Sequence, residues 1–208
     1  MSEIAVLRKP WSDPVRQREA YAFGLWIFLI SEVLFFGGMF LGYAVVHHLH
    51  PDGFDLGAAH TRFWYGAGNT AILLTSSLTL TIAERASLAH WRSLARLALG
   101  ATVLLGLAFL AVKGREYSLD IEDRLVPGRP FDAPLQGAEL FWSFYWLLTG
   151  VHAIHLTVGV ILLARLFRFA FQGQLLEHRA SVRVTSLYWH FVDTIWVFLF
   201  ALLYLPGR

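Results

Sequence analysis

Long apolar stretches separated by short polar ones organise this chain. Five of them approach or exceed the roughly 20 mainly apolar residues that a helix needs to cross a bilayer: Tyr21–His47, Phe63–Ala83, Leu94–Val112, Leu140–Leu166 and Val184–Leu205. Two are long enough to tilt. Hydrocarbon offers no partner for a backbone amide, so each run is expected to be a helix rather than a strand. The pattern predicts an all-α polytopic membrane protein, with a bundle of five transmembrane helices over residues 21–208 and a polar arm over residues 1–20. The arm has neither the apolar core nor the small-residue cleavage site of a signal peptide, and is expected to be cytoplasmic.

The basic residues set the expected orientation. With the N-terminus inside, the inner segments hold Arg8, Lys9, Arg16, Arg18, Arg85, Arg92, Arg96, Arg165, Arg168, Arg179 and Arg183. The outer segments hold only Arg62, Lys113, Arg115, Arg124, Arg129 and Arg208. The outer loop at 113–137 also mixes its basic residues with Glu116, Asp120, Glu122, Asp123 and Asp132. N-in, C-out is therefore predicted. Pro127, Pro130 and Pro134 predict an irregular course for that loop.

Composition agrees with the pattern. The chain is 56% hydrophobic and only 15% charged, with a mean hydropathy of +0.52, whereas a soluble domain carries about 25% charged residues. There are no cysteines, which excludes thiolate catalysis, Fe–S clusters and cysteine-based zinc sites. A net charge of +2 with scattered Lys and Arg gives no basic patch for nucleic acid.

Candidate chemistry is confined to a few polar groups inside the spans. Glu32 and Asp193 are the acids that fall well within them, and His152, His155 and His190 the histidines. At 1.5 Å per residue, Glu32 and Asp193 each lie roughly 15 Å in from the inner side, with the histidines about one turn away or less. His152 and His155 share a helix face, as do His190 and Asp193, being three residues apart. A charge at such depth is expensive, so these groups are expected to face protein and pair. Glu32 is expected to be protonated at neutral pH or paired with a histidine of span four. Three readings stay open on the residues alone: a buried network fixing helix register, a haem or metal site using facing imidazoles, or a proton- or lipid-linked role. A complete proton relay is not visible. Neither are the repeats of a transporter or a nucleophile–base set.

Four stretches carry a resemblance. YWHFVDTIWVFLFALLY (188–204) resembles the last helix of subunit III of haem–copper oxidases, with its Trp-His-Phe-x-Asp followed by Trp-x-Phe. SEVLFFGGMF (31–40), GREYS (114–118) and TGVHAIHLTVG (149–159) are similar, in order and spacing, to other helices of that family. The resemblance implies a subunit without catalytic residues, metal or cofactor of its own, packed beside subunit I, which holds the haems and copper, with subunit II in the same complex. It implies support of proton uptake, phospholipid binding and resistance to inactivation during turnover. Glu32 takes the place of the carbodiimide-reactive glutamate, with His152, His155, His190 and Asp193 as its polar neighbourhood. Arg165 and Arg168 become candidate lipid-headgroup contacts. Five helices, where the mitochondrial-type subunit has seven, imply a bacterial inner membrane and place the lipid cleft in question. The accessory subunit of nitric oxide reductases, a five-helix branch of the same superfamily, is the alternative resemblance.

Overall fold

A computed structural model describes residues 14–128 and 137–206. The expected N-terminal arm, apart from 14–20, and Pro130 and Pro134 lie outside the described residues. All regular structure among the described residues is helical: α1 Pro14–Leu49, α2 Pro51–Ala59, α3 Phe63–Leu88, α4 Arg92–Glu122, α5 Ala138–Phe171 and α6 Arg179–Tyr204.

Helices α3 to α6 form an antiparallel ring in which each packs on its neighbours in sequence and α3 closes against α6. The seam between α5 and α6 is covered from outside by α1. Tyr43 of α1 reaches across to donate its hydroxyl to the Leu202 carbonyl, 2.7 Å away. The ring closes tightly because two glycines admit an indole. Trp189 is wholly buried, and a Cβ at Gly106 or Gly159 would come within 2.9 Å or 2.7 Å of its ring. Its Nε1–H donates to Ser76 Oγ at 3.0 Å, which ties α6 to α3.

Four helices are long and apolar enough to cross a membrane on their own: α1 from Phe23, α4, α5 and α6. The second expected span, Phe63–Ala83, coincides with α3, which is not among them. Its Ser and Thr content lowers its apolarity, yet the hydroxyls of Thr70, Thr75, Ser76 and Thr81 all return to carbonyls of their own helix. That back-bonding removes much of the burial penalty of a hydroxyl.

Two boundaries differ from the sequence-based expectation. The helix α2 was not foreseen; it begins at Pro51, where a fixed φ suits a first helical turn, and it seats Phe54 and Gly57 on Phe141 of α5. The expected outer loop is also shorter, because residues 113–122 continue α4. The apolar run ends at Val112, which predicts a loop from there on. Instead Lys113, Glu116 and Asp120 fall on one helix face and are buried, while Arg115 and Glu122 point outward. At the loop's far end, Gly137 takes φ 101° to start α5, a left-handed conformation that glycine adopts without a Cβ penalty.

Candidate functional site

The five polar residues expected to share a layer are placed on α1, α5 and α6, and they do not close into one network. Glu32 Oε2 lies 3.0 Å from His155 Nε2. The other ring nitrogen of His155 lies 2.9 Å from the Val151 carbonyl, one turn back on α5. A carbonyl only accepts, so Nδ1 carries a hydrogen and Nε2 is left to face the carboxyl. Two arrangements satisfy this contact: a neutral acid donating to a neutral imidazole, or a carboxylate accepting from an imidazolium. Both hold the same single proton and leave the pair with zero net charge. Phe36 covers His155 edge-on at 5.1 Å between ring centroids, and Tyr188 donates to the His155 carbonyl at 3.0 Å.

The remaining three go elsewhere. His152 is buried between Phe109 and Trp196, with ring centroids 5.7 and 5.2 Å away. Neither of its nitrogens meets a hydrogen-bond partner among the described residues. Asp193 is 5% exposed and its carboxyl oxygens are likewise unpartnered there. His190 Nδ1 pairs with Ser77 Oγ of α3 at 2.6 Å. The expectation that histidines and Asp193 together hold Glu32 is therefore corrected: His155 alone among them reaches it. The physical reason is azimuth. His152 and His155 share a broad face of α5, but the roughly 60° of azimuth between them turns one toward α4 and α6 and the other toward α1. Arg165 and Arg168 are exposed in the last two turns of α5, Arg165 lying over the Phe169 ring at 5.5 Å.

A second polar group, which the sequence reading missed, sits at the opposite end of the ring. Lys113 is 1% exposed. Its Nζ donates to Glu116 Oε2 at 2.9 Å, Tyr145 Oη at 2.9 Å and Tyr204 Oη at 2.7 Å, which uses all three ammonium hydrogens. Tyr204 donates onward to Glu116 Oε1 at 2.8 Å. Tyr145 has one hydrogen for two acceptors, Glu116 Oε1 and Asp120 Oδ2, each 3.0 Å away. Arg62, at the start of α3, approaches Asp120 at 3.6 Å and pairs with Asp123. The cluster joins α4, α5 and α6 and reaches toward α3. Lys113 and Arg62 counter the charge of Glu116 and Asp120. The signal for it was present: Lys, Glu and Asp at spacings of three and four make one helical face.

Among the described residues no group of three or more His, Cys, Asp or Glu side chains is placed to hold a metal ion.

Residues 14–208 match the family Cytochrome c oxidase subunit III. The chain is 30% identical to a cytochrome bo(3) ubiquinol oxidase subunit 3 of Pseudomonas aeruginosa over 186 residues, covering 89% of this chain and 84% of that protein. It is 32% identical to the cytochrome c oxidase subunit 3 of Arabidopsis thaliana, covering 89% of this chain and 68% of that one. The mouse cytochrome c oxidase subunit 3 is 26% identical over the whole of this chain and 82% of its own length. The four motifs thus lie within a match that runs from the start of α1 to the last residue, and the chain belongs to the cytochrome c oxidase subunit III family.

Proposed function

We propose that this protein is the non-catalytic third subunit of a respiratory haem–copper oxidase, packed against the subunit that holds the haems and copper. Family membership over residues 14–208 carries this reading. Five helices, α1 and α3 to α6, cross the membrane in it. The 26 residues of α3 span roughly 39 Å at 1.5 Å each, and the hydroxyls of Thr70, Thr75, Ser76, Ser77, Thr79 and Thr81 find partners within the bundle. The end of the ring formed by the C-terminus of α3, the α4 N-terminus, the end of α5 and the start of α6 gathers Arg85, Arg92, Arg96, Arg165, Arg168, Arg179 and Arg183. Few acids offset them there, which supports an inner, cytoplasmic position for that end and a bacterial inner membrane as the location. Arg165 and Arg168 then stand at headgroup level as contacts for anionic lipid.

The Glu32–His155 pair has a proton-linked supporting duty in this reading, not a catalytic one. A carboxyl and an imidazole that share one proton at zero net charge tolerate a low-dielectric setting and still exchange that proton with each other. Glu32→Ala is expected to leave the initial rate of oxygen reduction nearly intact and to change working lifetime or lipid retention. Immediate, complete loss of turnover in an assembled complex would contradict that duty.

The function itself is tested by purifying the complex through this chain in mild detergent, followed by a reduced-minus-oxidised visible spectrum and metal analysis. An a-type haem, or a second b-type haem, together with copper is expected. Haems b and c with non-haem iron and no copper would move the chain to the nitric oxide reductase branch.

A further inference from the structure

Two helices flank α6 without meeting each other. On one side α1 lies against Tyr188, Phe191, Phe198 and Leu202. On the other α3 lies against Ser186, Trp189 and Trp196. Among the described residues α1 and α3 make no contact. An open groove therefore runs between them, with His190 and Thr194 of α6 as its floor. Leu74 and Thr81 of α3 form one wall, on the flank turned away from α4. Val33 and Gly37 of α1 form the other, because Phe35 occupies the opposite flank against His155. His190 is half-buried and the other five are exposed.

This floor is polar at a depth where lipid offers only hydrocarbon. His190 stands 11 residues into α6 from Arg179, roughly 16 Å along the helix. Its Nδ1 is occupied by Ser77, and no partner for its Nε2 is found among the described residues. Whichever tautomer forms, Nε2 is left as a donor or an acceptor that acyl chains cannot meet. Thr194 and Thr81 return their hydroxyls to carbonyls of their own helices, so the unmet demand is that of His190. Polar groups at this depth normally face protein rather than lipid. The facing wall is also shaped for a close neighbour: a Cβ at Gly37 would meet no atom within 4 Å, and small residues of this kind let a second helix approach.

We propose that the α1–α6–α3 groove receives a transmembrane helix of a neighbouring subunit, which packs against Gly37 and gives His190 Nε2 a hydrogen-bonding partner. The inference rests on the proposed function, since it requires a multisubunit complex.

The test uses the whole complex, carrying a photo-crosslinking benzoylphenylalanine in place of Leu74 in the groove, or of Leu104 on the far face of α4, which is 67% exposed. Irradiation at position 74 is expected to join this chain to a peptide of another subunit of the purified complex, and at 104 to lipid or detergent. Gly37→Leu adds volume where nothing of this chain stands, so the chain should fold while at least tenfold less of it is retained in the washed complex. Lipid adducts alone at position 74, or wild-type retention of Gly37→Leu, would overturn the groove assignment. A chain that co-purifies with no haem-bearing subunit would overturn the proposed function, and this inference with it.

Discussion

Replacing Lys113 with Met keeps most of the side chain's length and removes a charge that is 1% exposed. Three hydrogen bonds of 2.7–2.9 Å are lost with it. At an effective dielectric of 20, the 2.9 Å contact between Nζ and Glu116 Oε2 amounts to about 6 kcal/mol of Coulomb attraction. Desolvation of the two charges offsets much of that, so the pair contributes little net stability against a well-packed apolar pair. Breaking it is another matter. Glu116 would remain in an interior position with the two tyrosine hydroxyls as donors, and the guanidinium of Arg62 reaches Asp120 rather than Glu116. Orphaning one partner of a buried pair costs roughly 3–5 kcal/mol. The assay is unfolding of the purified chain in mild detergent, as a double-mutant cycle of Lys113→Met, Glu116→Gln and the two combined. Lys113→Met is expected to lose roughly 3–5 kcal/mol, and the double variant to recover at least half of that loss. A single variant within about 1 kcal/mol of wild type would refute the reasoning. So would a double variant whose losses simply add, since these side chains would then not be acting as a pair.

Other expectations follow from the same geometry. Gly159→Ala places a Cβ 2.7 Å from a Trp189 ring that is held at Ser76 and should cost about 1–3 kcal/mol by overpacking. Gly150→Ala, on the same helix with nothing within 4 Å, should stabilise by up to about 1 kcal/mol; thermal unfolding of both decides, and equal effects would remove the close-packing argument. Glu32→Leu leaves His155 Nε2 without its partner and should cost about 1–3 kcal/mol. Glu32→Gln, whose amide can donate to the same nitrogen, should retain most of that, and equal losses for the two would show that the hydrogen bond is not what matters there.

How far the sequence carried the reading differs from one residue to the next. Which segments form helices and how deep a residue lies along one are local properties. Apolar run length and a rise of 1.5 Å per residue were enough to bracket α1, α3, α5 and α6 and to put Glu32 and the histidines of α5 at similar depth. Residues 113–122 were expected within the outer loop at 113–137 because the apolar run ends at Val112, although the three–four spacing of Lys113, Glu116 and Asp120 already described a face that another helix could cover. Partners were a different question. Whether His152 or His155 meets Glu32 depends on how α5 is rotated about its axis relative to α1. That rotation is set by Trp189 entering the space left by Gly106 and Gly159 and by Tyr43 reaching Leu202. None of those contacts lies within one helix, so no periodicity reports them. The sequence by itself determined a helical membrane protein of this family with a few acids and imidazoles at matching depth. Only the tertiary structure decided that one acid pairs with one histidine, that a lysine closes a buried ion cluster at the other end, and that a polar groove stays open between α1 and α3, because azimuth and close packing arise only once the helices are set against each other.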